Sequence, residues 1–168
     1  ESWMKQRRWL DILFAAVIVG CLVGISELMR EKQFAGNAFA IDGDTLAMEG
    51  RRVRLRGIDA PELSQTCQRG TLTYRCGEEA RTAIRGLIAG RTVTCRTRGR
   101  DRFFRDLATC DVDGQDIGAD LVRRGFAIAY GAYADEEQEA REARRGVWAG
   151  PFERPQDWRR RHDAKPHP

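Results

Sequence analysis

Asp42-Gly43-Asp44-Thr45 and Arg54-Leu55-Arg56-Gly57-Ile58-Asp59-Ala60-Pro61-Glu62 place carboxylates and guanidiniums in one short span of chain. Between them, Leu46 to Val53 reads as a strand, a Glu49-Gly50 turn and a second strand, which folds the two ends of the span together. Carboxylates are hard oxygen donors for a divalent cation. An arginine fork matches two oxygens of a phosphate. Asp44, Asp59, Glu62 and Arg54 on adjacent strand ends can therefore hold a hard cation and one phosphodiester at once. Taken singly, Asp-Gly-Asp is a plain turn, Glu62 a loop carboxylate after proline, and Arg54 a solvated strand face. Their recurrence in one frame favours the site.

The elements that must position these residues follow from periodicity. Ala38 to Ile41, Thr45 to Met48 and Arg51 to Arg56 alternate as consecutive strands, with Val53 and Leu55 on one face and Arg52, Arg54 and Arg56 on the other. Thr92 to Arg96 and Leu107 to Val112 complete a set of five strands. Glu78 to Ala89 reads as a helix stopped by Gly90, Gly118 to Arg124 as a short helix, and Asp135 to Arg145 as a charged helix ended by Gly146. Glu62 to Gly77 is polar and aperiodic, hence loop. The fold class is α+β: a five-stranded OB-type β-barrel with about three helices, preceded by an N-terminal hydrophobic helix. The expected divisions are an anchor or signal over 1–30, a linker over 31–36, one domain over 37–152 and a disordered tail over 153–168.

The chain has 168 residues, and 29 Lys and Arg against 25 Asp and Glu leave a net charge of +4, which permits a polyanionic partner without identifying one. Ile12 to Ile25 is uninterrupted apolar or small sequence behind Lys5, Arg7 and Arg8, and residues 9–29 read as a membrane anchor. A cleaved signal is the second reading and a buried helix the third; Ala38-Phe39-Ala40 has the spelling of a cleavage site but lies far downstream. Either of the first two exports the domain, to the periplasm or the exterior. Beyond Cys21, the four cysteines Cys67, Cys76, Cys95 and Cys110 form an even set that reads as two disulfides in an exported chain. Cys67 and Cys76 bracket one loop, and Cys95 and Cys110 can face each other across a hairpin, so Cys67–Cys76 and Cys95–Cys110 are the expected pairs. No C-x-x-C pair supports zinc. His162 and His167 are the histidines, both in the tail, which leaves no basis for a histidine-dependent mechanism.

The order of these motifs resembles the staphylococcal nuclease (thermonuclease) family. Ile41-Asp42-Gly43-Asp44-Thr45 and Arg54 to Glu62 are followed by Gly77-Glu78-Glu79-Ala80 and Asp101-Arg102-Phe103-Phe104-Arg105. Leu121-Val122-Arg123-Arg124-Gly125 and Gly146-Val147-Trp148 complete the series, which covers residues 37–152. The resemblance implies a Ca²⁺ site made by Asp44, Asp59 and the backbone carbonyl of Ala60, with Asp42 adding negative potential. It implies that Glu62 serves the attacking water, that Arg54 and Arg105 clamp phosphate, and that Arg102, Phe103, Tyr130 and Tyr133 contact substrate. The implied activity is hydrolysis of DNA and RNA with little sequence preference, leaving 3′-phosphates, by a monomeric domain with no protein partner.

Two departures from the family stand out. Ala60 occupies a position where the family often has threonine, a change that a backbone ligand survives. Phe104 occupies a glycine position, and strain is expected there if the backbone has a positive φ. The alternative expectation is a non-catalytic relative that binds nucleic acid or a protein; a third is an envelope module that uses Ca²⁺ for stability alone. Retention of Asp44, Arg54, Asp59, Glu62 and Arg105 argues against the first of these.

Overall fold

The computed structural model describes residues 14–21, 24 and 31–163. The chain falls into two units, one ending at Lys32 and one beginning at Gln33. In the first, residues 14–21 are helical with exposed side chains. Among the described residues no helix is long and apolar enough to cross a membrane. The expected anchor over residues 9–29 lies for the most part outside the described residues.

In chain order the elements are β1 (Lys32–Gly36), β2 (Ala38–Ala40), β3 (Thr45–Met48), β4 (Arg51–Leu55), β5 (Ile58–Asp59), β6 (Cys67–Arg69) and β7 (Leu72–Tyr74). Then follow α1 (Cys76–Ile88), β8 (Val93–Arg100), β9 (Asp106–Val112), β10 (Gln115–Asp116), α2 (Ile117–Arg123) and β11 (Ile128–Ala129). Last come α3 (Ala134–Glu142), a 3-10 turn (Gly146–Ala149) and α4 (Pro155–Asp163). The architecture is α+β, as expected. The main sheet has seven strands where five were expected, in the order β1-β8-β9-β4-β3-β2 with β10 beside β9.

The β3–β4 hairpin forms because Glu49 and Gly50 both adopt positive φ, 48° and 70°, the geometry of a two-residue turn that matches strand twist. Its inner face buries Leu46, Met48, Val53 and Leu55, and α1 lays Ala80, Ala83, Ile84 and Ile88 against the same core. Each fully buried aliphatic side chain of this kind contributes about 1.5–3 kcal/mol. Strand β4 then pairs in parallel with β9, with Val53 opposite Asp106, while β8 and β9 form a hairpin in which Cys95 stands opposite Cys110. That register is what allows the cross-strand disulfide, and both expected pairs, Cys67–Cys76 and Cys95–Cys110, are bonded.

Three expectations of irregular structure are corrected. The expected linker over 31–36 carries β1, paired to β8, with the Arg51 guanidinium 5.0 Å from the Phe34 ring centroid. Within the expected loop, β6 and β7 form a small hairpin whose ends are closed by Cys67–Cys76; its strands are too short and polar to show a period. The expected tail is helical over Pro155–Asp163. Pro155 is buried at its first turn, where a missing amide costs nothing, and Phe152 meets Trp148 edge-on at 5.0 Å. Residues 164–168 lie outside the described residues.

Candidate active site

Thr45 and Arg54 are register partners across β3 and β4, which sets the Arg54 side chain beside Asp44. The Asp42 carboxylate accepts from the Asp44 amide at 3.0 Å and so shapes the turn that presents Asp44. Gly43 is required there: a Cβ would come within 2.6 Å of the Ala60 Cβ and 2.8 Å of the Ala80 Cβ. Asp44 is 3% exposed and accepts from Thr45 Oγ1 at 3.1 Å, the Ala60 amide at 2.9 Å and Arg54 Nη1. The other amino group of Arg54, Nη2, donates to Asp59 Oδ1 at 2.9 Å. Asp59, also 3% exposed, is fixed by the pairing of β5 with β11, where it faces Ile128. One guanidinium thus bridges two buried carboxylates. Burial pushes the Asp44 carboxyl up to about 7; Arg54 opposes that shift, and the negative charges of Asp42 and Asp59 add to it.

Glu62 lies three residues beyond Asp59 in a loop held by Gln65. The fully buried Gln65 accepts from the Glu62 amide at 3.2 Å, and its own amide donates to the Glu62 carbonyl at 2.7 Å. Gln65 Nε2 donates to the Glu153 carbonyl at 2.7 Å, so the same side chain ties this loop to the segment leading into α4. Gly77 lets α1 approach: a Cβ there would fall 1.8 Å from the Glu62 carbonyl oxygen. From α4, Arg159 Nη1 donates to Glu62 Oε1 at 2.8 Å, and Nη2 donates to Asp59 Oδ1 and Oδ2 at 3.1 and 3.0 Å.

The 101–105 loop closes the other side. Asp101 Oδ1 accepts from the amides of Phe103 at 2.9 Å and Arg105 at 3.0 Å, and Oδ2 accepts from Arg105 Nε at 2.8 Å. Desolvation is the largest single influence and raises the Asp101 carboxyl, yet the Arg105 and Phe103 hydrogen bonds together with the Arg105 charge hold it below its ordinary value. So oriented, Arg105 Nη1 donates to Thr45 Oγ1 at 3.4 Å, next to Asp44. Phe104 does adopt the left-handed backbone its position requires, with φ 60°, and its ring is 82% exposed. The loop keeps Arg105 at the site despite the missing glycine. Phe103, 62% exposed, lies under the guanidiniums of Arg102 at 4.7 Å and Arg105 at 5.5 Å.

An open cleft of about 870 Å³ is lined by Asp44, Arg54, Ala60, Glu62, Arg102, Phe103 and Arg105 among others. The two tyrosines are placed elsewhere and do not line it. Tyr133 donates to Asp116 at 2.9 Å, at the cap of α2, and its ring packs on Gly118. Burial first, and then the Asp116 charge, pushes its hydroxyl above the ordinary range. Tyr130 is exposed, with its amide bonded to the Gly57 carbonyl at 2.8 Å.

A family model described as staphylococcal nuclease homologue matches residues 52–150 of this chain. The chain belongs to the staphylococcal nuclease family. It is similar to the succinoglycan biosynthesis protein ExoI of Rhizobium meliloti, 39% identical over 150 residues, which cover 84% of this chain and 75% of that one. It is also similar to an uncharacterized endonuclease of Haemophilus influenzae, 31% identical, covering 81% of this chain and 78% of the relative. A probable staphylococcal-like nuclease of rice (Oryza sativa subsp. japonica), CAN2, is 37% identical over 71% of this chain, which spans 32% of that longer protein.

Within this member of the staphylococcal nuclease family, the donor chemistry can be tested against the Ca²⁺ that the resemblance implies. Among the described residues no three His, Cys, Asp or Glu side chains form a metal cage by themselves. Asp44 and Asp59 are instead a pair of buried hard-oxygen donors sharing Arg54; burial is the main push on the Asp44 carboxyl, and the neighbouring charges of Asp42 and Asp59 that add to it are what a cation would offset. The pair fits a hard cation that completes its shell with backbone carbonyl and water oxygens. Three residues at this candidate site carry no assignment from the sequence: Gln65, Asp101 in its orienting role, and Arg159. For Arg159 a signal existed, since Gln156, Arg159 and Arg160 recur at i, i+3 and i+4 behind Pro155.

Proposed function

We propose that this protein is an exported, Ca²⁺-dependent nuclease that hydrolyses phosphodiester bonds of DNA and RNA with little sequence preference. It breaks the bond to the 5′ oxygen and leaves 3′-phosphates. The observation that carries the reading is the convergence of Asp44, Arg54, Glu62 and Arg105 on one open cleft. The two disulfides favour an oxidising compartment, and the apolar stretch within residues 9–29 supplies the route of export or a tether.

Phosphodiester hydrolysis spreads negative charge over the equatorial oxygens while the attacking and leaving oxygens stay in line. Arg54 from β4 and Arg105 from the 101–105 loop both reach the Asp44–Thr45 corner and bind those oxygens together. Asp44, Asp59 and the Ala60 carbonyl would hold the Ca²⁺, which would supply Lewis-acid charge for the phosphate. Glu62, partly exposed at the cleft, serves the attacking water. The ring of Phe103 and the charge of Arg102 offer a stacking and phosphate surface along the strand.

The test is cleavage of DNA and RNA by the full chain with Ca²⁺ or a chelator, beside Arg54→Ala and Glu62→Gln. Activity is expected with Ca²⁺, and each variant is expected to lose about 10²-fold or more. Activity that ignores the chelator or survives both substitutions overturns the site. Folded protein that binds DNA and never cuts it establishes the non-catalytic alternative instead.

A further inference from the structure

We propose that Arg159 of α4 is a further substrate-binding cation of the cleft, held on Asp59 and Glu62 until a divalent cation takes Asp59, and then passed to a phosphate of the nucleic-acid strand. The inference rests on the nuclease reading above. Both oxygens of Asp59 accept from Arg159 Nη2, and Glu62 Oε1 accepts from Nη1. A cation drawn to the buried Asp59 carboxylate meets that guanidinium at close range, and the two like charges repel.

Asp59 is anchored on β5 by pairing to β11 and cannot follow the cation. Arg159 can leave: its side chain is long and 34% exposed, whereas Arg54 at 17% is also held by Asp44. Departure frees Glu62 for water. The released guanidinium stays in the cleft, because Gln156, Arg159 and Arg160 line it from one face of α4. Arg102 and Phe103 line the same cleft, so a strand lying in it has cations of both α4 and the 101–105 loop available to its phosphates. The family match ends at residue 150 and α4 begins at Pro155, which makes this wall an addition outside the matched domain.

The experiment uses the full chain as wild type, Arg159→Gln, Arg159→Lys and, as a helix-charge control, Arg161→Gln, whose guanidinium pairs with Glu153. Calcium is titrated calorimetrically without nucleic acid, and KM and kcat are measured on a short oligodeoxynucleotide. Arg159→Gln is expected to bind calcium about fivefold more tightly, with the competing charge gone. Its KM is expected to rise about tenfold with a smaller change in kcat. Arg159→Lys falls between, and Arg161→Gln keeps the wild-type calcium affinity. Unchanged or weaker calcium binding in Arg159→Gln, or an unchanged KM, makes Arg159 a structural strut and overturns the proposal. If the wild type binds calcium and cuts, that failure touches Arg159 alone; a wild type that does neither overturns the nuclease reading with it.

Discussion

Arg54 stands opposite Thr45 across β3 and β4, and from that position its two amino groups reach Asp44 and Asp59 separately. A planar fork does this; a single ammonium cannot. Arg54→Lys is therefore expected to keep the fold and lose about 10²-fold in kcat. Arg54→Ala is expected to cost about 3–5 kcal/mol in the metal-free protein, because the buried Asp44 loses its guanidinium partner while Asp59 keeps Arg159. Denaturant unfolding and steady-state kinetics check both, and a lysine variant of near wild-type activity removes bridging from the account.

Asp101 is a positioning residue that acts through Arg105. Asp101→Ala removes the acceptor for two loop amides and for the Arg105 guanidinium together. A loss of about tenfold or more in kcat/KM is expected, with Asp101→Asn between it and the wild type because an amide oxygen still accepts the backbone bonds. Equal activity in all three proteins rules the role out.

Phe104 holds a φ of 60° with an exposed ring, so it bears left-handed strain without burial to offset it. Phe104→Gly is expected to stabilise the fold by about 1 kcal/mol, seen as a rise of about 2–4 °C in Tm. A fall in Tm would show that the phenylalanine makes compensating contacts.

The raised carboxyl of Asp44 gives a pH dependence. With the folded value pushed from 3.8 up to about 7, the metal-free fold holds a proton that the unfolded chain has already released. That contribution to stability is full below pH 3.8 and is lost as pH rises through about 7. If calcium binds at Asp44 as proposed, it has to displace the same proton. Its affinity is expected to plateau above about pH 7 and to fall by up to about tenfold per unit below it. Titrations from pH 5.5 to 8.5 test this, and a flat profile rules Asp44 out as the coupled group.

Much of the site is legible in the chain because its first half is local. Asp42, Asp44, Arg54, Asp59 and Glu62 come together through one hairpin, whose turn residues and alternation are visible in order. Cys95 and Cys110 are likewise legible as partners on neighbouring strands. Tyr130 and Tyr133 show the limit: family position put them near substrate, and the structure commits Tyr133 to Asp116 and leaves Tyr130 outside the cleft.

What the amino-acid sequence determined by itself was the family, the α+β composition, the disulfide pairs and the acid–arginine hairpin. Each is written in spacing or in alternation along a single element. Only the tertiary structure decided that the C-terminal segment is a helix and that Arg159 meets Asp59, a residue 100 positions earlier. The segment Pro-Gln-Asp-Trp-Arg-Arg-Arg-His has no apolar stripe to announce a helix. Its order comes from buried Pro155, the Glu153 carbonyl on Gln65, and the Arg159 ion pairs. Those are contacts between distant parts of the chain, and hydrophobic periodicity carries no record of them.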